Sequence, residues 1–531
     1  MDSYGVLSLL PPVTALVLCF LTKEVISSLF CGALVGGLLL AHGNLFAAIA
    51  KTWDWSALQL RDTWQSEYFL FLFVIGGAIG IMYKLGGGQA LVKKLEKKIG
   101  TSKRSQVFIA LMGVIIFFNE YANTAIVGTA TKSLSDKTRI SREKFAYLLD
   151  STSSPVSGLA PISDWAGFQT NTIAVALTTI GGAAVLGTSA YAIWIHSIPY
   201  MLYCWFAVAL VFIVALTGWD FGPMLKAEFR ARTTGKLIRD DGVPAGAVEQ
   251  EVGEVCETHL SIMSFILPIA TLITLALFGM WWTGGGPKAS SFSEALGNSD
   301  TALSLLWGAF GMTIMGIILG LAFKIMKFSE LMQTFMQGAK TMFVAFLLMV
   351  FAWALKAACD AVGTADYTIG VMLPLVKDLP AILPVMVFLV CMLLSFGLGT
   401  SWGTMSIISP IALPLVLAAT GNDLNWIVYA TVGAVLSGSI FGDHCSPISD
   451  TTIISSTFAG SDHMDHVTTQ IPYAVFAATI SIVGYLLLMI HIPWFLIIPA
   501  GCILLFYGAR FLSKKSAQRY GIPATTTNYR G

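Results

Sequence analysis

Between Lys144 and Lys226, and again between Lys377 and Arg510, the chain has no lysine or arginine, yet Asp150, Asp164, Asp443 and Asp450 stand there in or beside apolar segments. Nothing else in the sequence constrains the fold as strongly. Apolar stretches of about 18 to 25 residues recur between a few cationic patches, long enough at ~1.5 Å per residue to cross a hydrocarbon core of about 30 Å. Only 11% of the 531 residues are charged and 56% are hydrophobic, where a soluble domain carries about 25% charged residues. A water-facing surface cannot be built from this composition. The chain is therefore expected to be an all-α polytopic membrane protein whose first partner is the lipid bilayer. A soluble enzyme, a secreted disulfide scaffold and a nucleic-acid binder are excluded, the last because no basic domain stands free of the apolar runs. The eight cysteines form no CxxC pair and read as small core hydrophobes. The start, MDSYGVLSLL, has no basic n-region, so the first apolar run is expected to stay as a membrane helix.

Spanning helices are expected near residues 4–22, 24–42, 68–85, 190–217, 260–281, 302–323, 341–358, 470–490 and 493–512, with two longer broken segments at 145–187 and 426–458. Lys84 to Arg104 holds seven cations and Lys132 to Lys144 holds five, and the positive-inside rule places both stretches in the cytoplasm. One apolar stretch, 106–130, separates them, and Asn119-Glu120-Tyr121-Ala122-Asn123-Thr124 interrupts its middle. A single crossing would export one basic loop; a re-entrant hairpin of two half-helices keeps both inside. Propagating the hairpin gives about eleven transmembrane helices plus two re-entrant hairpins, with the amino terminus outside and Lys23, the 218–259 loop and the carboxy-terminal tail (through Arg530) inside. Trp53, Trp55, Trp64, Trp281, Trp282, Trp426 and Trp494 then fall at outer ends, the interface such rings favour.

Pro161-Ile162-Ser163-Asp164 recurs as Pro447-Ile448-Ser449-Asp450, and NEYANTAI from Asn119 aligns with TSWGTMSI from Thr400. In each half a hairpin broken by small or polar residues precedes a long segment broken at PISD. With an odd number of crossings per half, the repeat is inverted, as in transporters whose broken helices meet near the midplane. The expected organisation is a first inverted repeat over 1–217, a cytoplasmic linker loop over 218–259, a second repeat over 260–490, and an extra helix with a cytoplasmic tail over 491–531.

An ionised carboxylate at bilayer depth costs about 2.5 to 3.5 kcal/mol or more. Each acid in the cation-free windows is thus neutralised by a proton, a bound cation, or a basic side chain brought in by the fold. An acid accepting either H⁺ or Na⁺ is the minimal machine for exchanging them. Hard oxygen donors surround it in sequence: Ser151 to Ser154 on one side, Ser446, Ser449, Thr451 and Thr452 on the other, with carbonyls freed by Pro155, Pro161 and Pro447. Asp150 reads alternatively as an interfacial helix-end residue, and Asp164 and Asp450 as helix N-caps. His444 beside Asp443 tunes that acid or takes a proton itself, while a transition-metal pair with Cys445 is disfavoured. Glu120 sits at the tip of the first hairpin and is read as functional. Lys356 and Asp360 read as a snorkelling surface pair.

The run Gly442-Asp443-His444-Cys445-Ser446-Pro447-Ile448-Ser449-Asp450-Thr451-Thr452, with FNEYANTAIVG from Phe118 and SPVSGLAPISDW from Ser154, resembles the NhaC-type sodium/proton antiporter family over roughly residues 60–490. The resemblance implies a bacterial inner-membrane carrier in which Na⁺ leaves as H⁺ enters; some relatives move malate, lactate or amino acids. It carries over most directly to Asp443, His444, Ser446, Asp450 and Asp164, and less directly to Asn119, Glu120, Asn123 and Thr124. Together with the residue reading, the candidate ion- or substrate-binding set is Asp443, His444, Ser446, Ser449, Asp450, Thr451, Asp164, Ser163, Asp150, Asn119, Glu120, Asn123, Thr124, Thr400, Ser401 and Thr404. Asp443, Asp450, Ser446 and Ser449 are the candidate sodium ligands, and the cation is expected chiefly in the second repeat's break.

The leading expectation is a Na⁺/H⁺ antiporter. The alternative is a Na⁺- or H⁺-coupled carrier of a small organic solute, for which Gly399 to Thr404 offer donors and the Trp402 wall. A channel suits two unlike broken segments less well, and a membrane enzyme lacks a nucleophile with a positioned base. No cofactor motif is visible, and sodium enters as the transported or coupling ion. Oligomeric state is open, with a homodimer compatible. The topology is directly testable. Single cysteines near Lys97 and near Arg139, in a cysteine-free background, should be labelled only from the cytoplasmic side. Reaction of either with an impermeant reagent from outside would overturn the first hairpin.

Overall fold

The computed structural model describes residues 4–22, 24–87, 90, 99–117, 119–161, 163–177, 186–244, 261–289, 292, 295, 299–364, 366–367 and 380–523, without the side chains of Cys19, Phe20, Ala122, Asp164, Asn171 and Thr301. Of the features discussed above, Lys23, Lys93, Lys94, Lys97, Lys98, Arg530 and the Asp164 carboxylate lie outside the described residues.

The helices, in chain order, are α1 (Leu10–Thr22), α2 (Val25–Leu40), α3 (Leu45–Arg61), α4 (Thr63–Lys84), α5 (Ser102–Ile115), α6 (Glu120–Lys137), α7 (Arg142–Ser151), α8 (Ser154–Leu159), α9 (Asp164–Leu177), α10 (Ala190–Ser197) and α11 (Leu202–Thr217). They continue with α12 (Pro223–Thr234), α13 (Met263–Thr283), α14 (Thr301–Ala322), α15 (Phe328–Lys340), α16 (Phe343–Ala361), α17 (Leu383–Leu398), α18 (Ser401–Ala419), α19 (Trp426–Asp443), α20 (Asp450–Ala459), α21 (His463–Met489) and α22 (Trp494–Tyr520). Among the described residues β structure is limited to an isolated bridge between Pro244 and Asp462. Among the described residues nine helices are long and apolar enough to cross a membrane, ten if the 48° bent pair Ala190–Tyr200 and Leu202–Thr217 is one span, and Gly5–Leu18 and Val25–Leu40 are shorter apolar helices. The all-helical, broken-helix architecture expected from the sequence is the one observed.

Helix starts are capped by the side chains the sequence places there. Thr101 accepts from Arg104 N, Ser141 from Lys144 N, Thr400 from Gly403 N and Asn425 from Ile427 N. Each satisfies a backbone donor that has no partner within its helix.

Arms α5 and α6 fold back on each other, held by the buried Asn123 amide, which donates to the carbonyls of Gly113 (2.6 Å), Ile116 (2.8 Å) and Thr152 (2.9 Å). The outer ends of this pair lie at the same end of the bundle. Glu228 on α12 accepts from Gln106 Nε2 (3.4 Å) at the start of α5 and from Ser141 N (2.8 Å) just past α6, while Arg232 donates to Ser102. A segment whose two ends meet one side chain is a hairpin. The second hairpin, α17 and α18, breaks at Gly399 and Thr400, and its second arm runs to Ala419. Gly399 ends α17 in the left-handed region at φ 66°, and a Cβ there would stand 2.5 Å from the Ile448 carbonyl oxygen.

Packing between the halves is crosswise. The distal part of the first broken segment, α9, packs on α18 of the second hairpin, and the distal part of the second, α20, packs on α6 of the first. Each hairpin's first arm also packs on the long helix after the broken segment of its own half, α5 on α11 and α17 on α21. Close approach relies on small residues: a Cβ on Gly442 would lie 2.1 Å from the Ser395 carbonyl carbon, so α19 ends directly against α17. Asn123→Ala should destabilise the folded protein through uncompensated buried carbonyls, at about 1–3 kcal/mol. Asn123→Asp, which cannot donate, should behave alike. Thermal unfolding in detergent is the check, and unchanged midpoints for both variants would refute the structural role of this amide.

Candidate functional site

The site forms where α19 stops and α20 begins. The 444–449 interruption frees backbone groups, and the fold supplies hydroxyls to meet them: Thr451 and Thr452 on α20 donate to the Asp443 carbonyl at 3.0 and 2.6 Å. The Asp443 side chain, 1% exposed, accepts from Ser401 N (3.1 Å), from the Ser401 hydroxyl and from Ser449 Oγ (3.3 Å), which also contacts Thr451 Oγ1. Asp443 is thus held by the tip of the second hairpin, which Gly442 lets approach and which Ser446 fastens by donating to the Phe396 carbonyl (2.7 Å).

Asp450 opens α20, where the helix dipole favours a carboxylate. It follows the cap position, which Ser449 occupies, as Ser163 caps the matching helix α9 by accepting from Ala166 N. Asp450 accepts from Tyr121 OH (2.9 Å) of the first hairpin and from Trp353. Asp443 lies within electrostatic range of both Asp450 and Asp150. Among the described residues no lysine or arginine forms an ion pair with these three acids.

On the other side of the Asp443 backbone, the His444 ring lies between Ser151 Oγ and Tyr203 OH. Asp150 is 2% exposed, so the interfacial reading is corrected: α7 is sunk among α20, α21 and α11, and its last turn faces the interior. Asp150 accepts from Ser455 Oγ (3.0 Å) and Gln470 Nε2, and His466 Nε2 stands 3.5 Å away.

The remaining sequence candidates divide. Glu120 accepts from Ser154 Oγ (2.5 Å), tying the first hairpin to the start of α8. Asn119 is buried at the same turn, Asn123 closes it, and Thr124 donates to the Glu120 carbonyl. Thr400 and Thr404 bond within the start of α18, and Ser163 turns to the Ser157 and Ala160 carbonyls. The structure therefore gathers Asp443, Asp450, Ser401, Ser449 and Thr451, and gives Ser446 and Asn123 to backbone carbonyls. Sequence reasoning missed Tyr121, Tyr203, His466, Gln470 and Trp353. A signal was present for two of them: His463, His466 and Gln470 share one face of α21 at helical spacing just where its apolar run begins.

Broken helices that meet in the interior with acids at the break define a secondary transporter. Residues 159–490 match the model of the Na+/H+ antiporter family, and the chain belongs to that family. It is similar to an uncharacterized protein of Haemophilus influenzae, 29% identical over 496 residues and 91% of each chain. It is also similar to the malate-2H(+)/Na(+)-lactate antiporter of Bacillus subtilis, 28% identical over 190 residues, which are 35% of this chain and 38% of that one. The Na(+)/H(+) antiporter NhaC of Bacillus subtilis is 36% identical over 93 residues, 18% of this chain and 19% of that one.

Proposed function

We propose that this multi-pass carrier exchanges Na⁺ for H⁺ across the bacterial inner membrane, with its carboxy-terminal tail in the cytoplasm, and that Asp443 is the acid that holds the cation. The observation that carries the reading is the Asp443 environment: a sealed carboxylate surrounded by hard neutral oxygens of Ser401, Ser449 and Thr451, beside a second acid, Asp450. Oxygen donors of this kind suit Na⁺. Ser401 joins the candidate ligands Ser446 and Ser449 at this acid. The crosswise packing supports an inverted repeat, with the second break held by its own hairpin at Ser401 and reached from the first hairpin by Tyr121 at Asp450.

A second reading, coupled transport of an organic anion, is favoured by one feature. A Cβ on Gly403 would lie 3.1 Å from Lys356 Cε, so a cation stands beside the tip of the second hairpin, and the Bacillus relative is named for malate and lactate.

In vesicles with an imposed proton gradient, Na⁺ alone should dissipate it, and dissipation that requires an added carboxylate would select the second reading. Asp443→Asn should abolish Na⁺-dependent dissipation while the protein remains inserted. Ser401→Ala should raise the Na⁺ concentration for half-maximal effect by about tenfold, since a hydrogen bond to a charged group is worth ~1.5 kcal/mol or more. Wild-type Na⁺ dependence in Asp443→Asn would reject the assignment.

A further inference from the structure

Asp150 and His466 form a buried pair that the cation site does not use. Their side chains are 1% and 0% exposed, with His466 Nε2 3.5 Å from Asp150 Oδ2. The carboxylate's hydrogen-bond donors, Ser455 and Gln470, are neutral. Among the described residues neither His466 nitrogen has a hydrogen-bond partner, and Gln470 Oε1 has none. Of the imidazoles around Asp150, that of His466 stands at ion-pair distance, so a proton on it compensates the carboxylate most directly.

The other groups that face Asp150 leave this reading intact. From the break come His444, Cys445 and Asp443, from α21 His463, and from α11 Tyr203. On its own helix Lys144 is engaged by Asp220 at 2.6 Å and Glu143 by Arg230 at 2.9 Å. From α6, Glu120 is bonded to Ser154. α20 contributes the neutral Ser455.

Resting on the antiport reading above, we infer that the Asp150–His466 pair is the proton site, separate from the cation site at Asp443. In one state an imidazole nitrogen of His466 takes up H⁺ and the imidazolium faces the Asp150 carboxylate. In the other, the proton leaves, and neutral imidazole stands beside an uncompensated carboxylate. Gln470 connects the two sites, because its Nε2 bonds both Asp150 Oδ2 and the His444 carbonyl, one peptide from Asp443. When the imidazolium is lost, Asp150 competes harder for that amide and the hold on the His444 carbonyl weakens. The break that shapes the Asp443 site thus senses the proton.

The experiment compares two rates in proteoliposomes of the full chain: proton-gradient-driven ²²Na⁺ uptake, and ²²Na⁺/Na⁺ exchange without a gradient. For Asp150→Asn and His466→Gln the ratio of driven uptake to exchange should fall about tenfold, within the range of coupling between two sites, and the driven rate should lose its pH dependence. Asp150→Glu, which keeps an acid, should restore the ratio in part. A wild-type ratio in both primary variants, or two rates falling in proportion, overturns the separate proton site. Should one variant fail to insert, the other decides. Asp443→Asn distinguishes the two proposals: if it retains exchange, the cation assignment fails, whereas loss of exchange there with a wild-type ratio in His466→Gln defeats the proton site alone.

Discussion

Everything in this structure follows from placing carboxylates where no cation is in sequence reach. An uninterrupted helix has no free backbone donors or acceptors in its middle, so an acid there would meet only apolar neighbours. Interrupting the helix exposes backbone groups, and those in turn demand polar side chains. Ser401, Ser449, Thr451 and Thr452 answer both demands at once, bonding the carboxylate or the carbonyl of Asp443. The glycines follow as a third tier, since Gly399 and Gly442 let the two interrupted segments come close enough for those hydroxyls to reach.

Opposite charges are concentrated elsewhere. Arg142 with Asp136, Lys144 with Asp220, Arg230 with Glu143, Arg232 with Glu228 and Arg239 with Asp462 and Asp465 fasten one end of the bundle. The Lys144–Asp220 pair is fully buried, where desolvation consumes much of the Coulombic gain, and Tyr473 OH donates to the same Asp220 oxygen. Such an arrangement fixes geometry more than it adds stability. It leaves the interior acids as the charges available to an ion.

Periodicity and cation placement made the helices, the hairpin at Asn119 to Thr124 and the PISD breaks legible from the sequence, because each is a local consequence of solvating backbone in lipid. The partners inside the site were less legible. Tyr121 meets Asp450 across 329 positions and Gln470 meets Asp150 across 320, and such contacts are set by how the halves dock. The Ser446 contact was equally illegible: the close seat of α19 on α17 lets its hydroxyl donate to the Phe396 carbonyl, 50 positions away. Asp150 was open between surface and interior for the same reason, its depth being fixed by α20 and α21 far along the chain.

The crosswise seating of α9 on α18 and of α20 on α6 also orders events during synthesis. The first hairpin is made early, yet the helix that walls it begins only at Asp450. Until then Asn123, Glu120 and Thr124 have their first-half partners, while Tyr121 and the face of α6 that meets α20 remain uncovered. The second break is consequently among the last parts of the molecule to be enclosed: its second-hairpin wall at Ser401 precedes it in the chain, whereas the contact of α20 with α6 waits for Asp450 to Ala459.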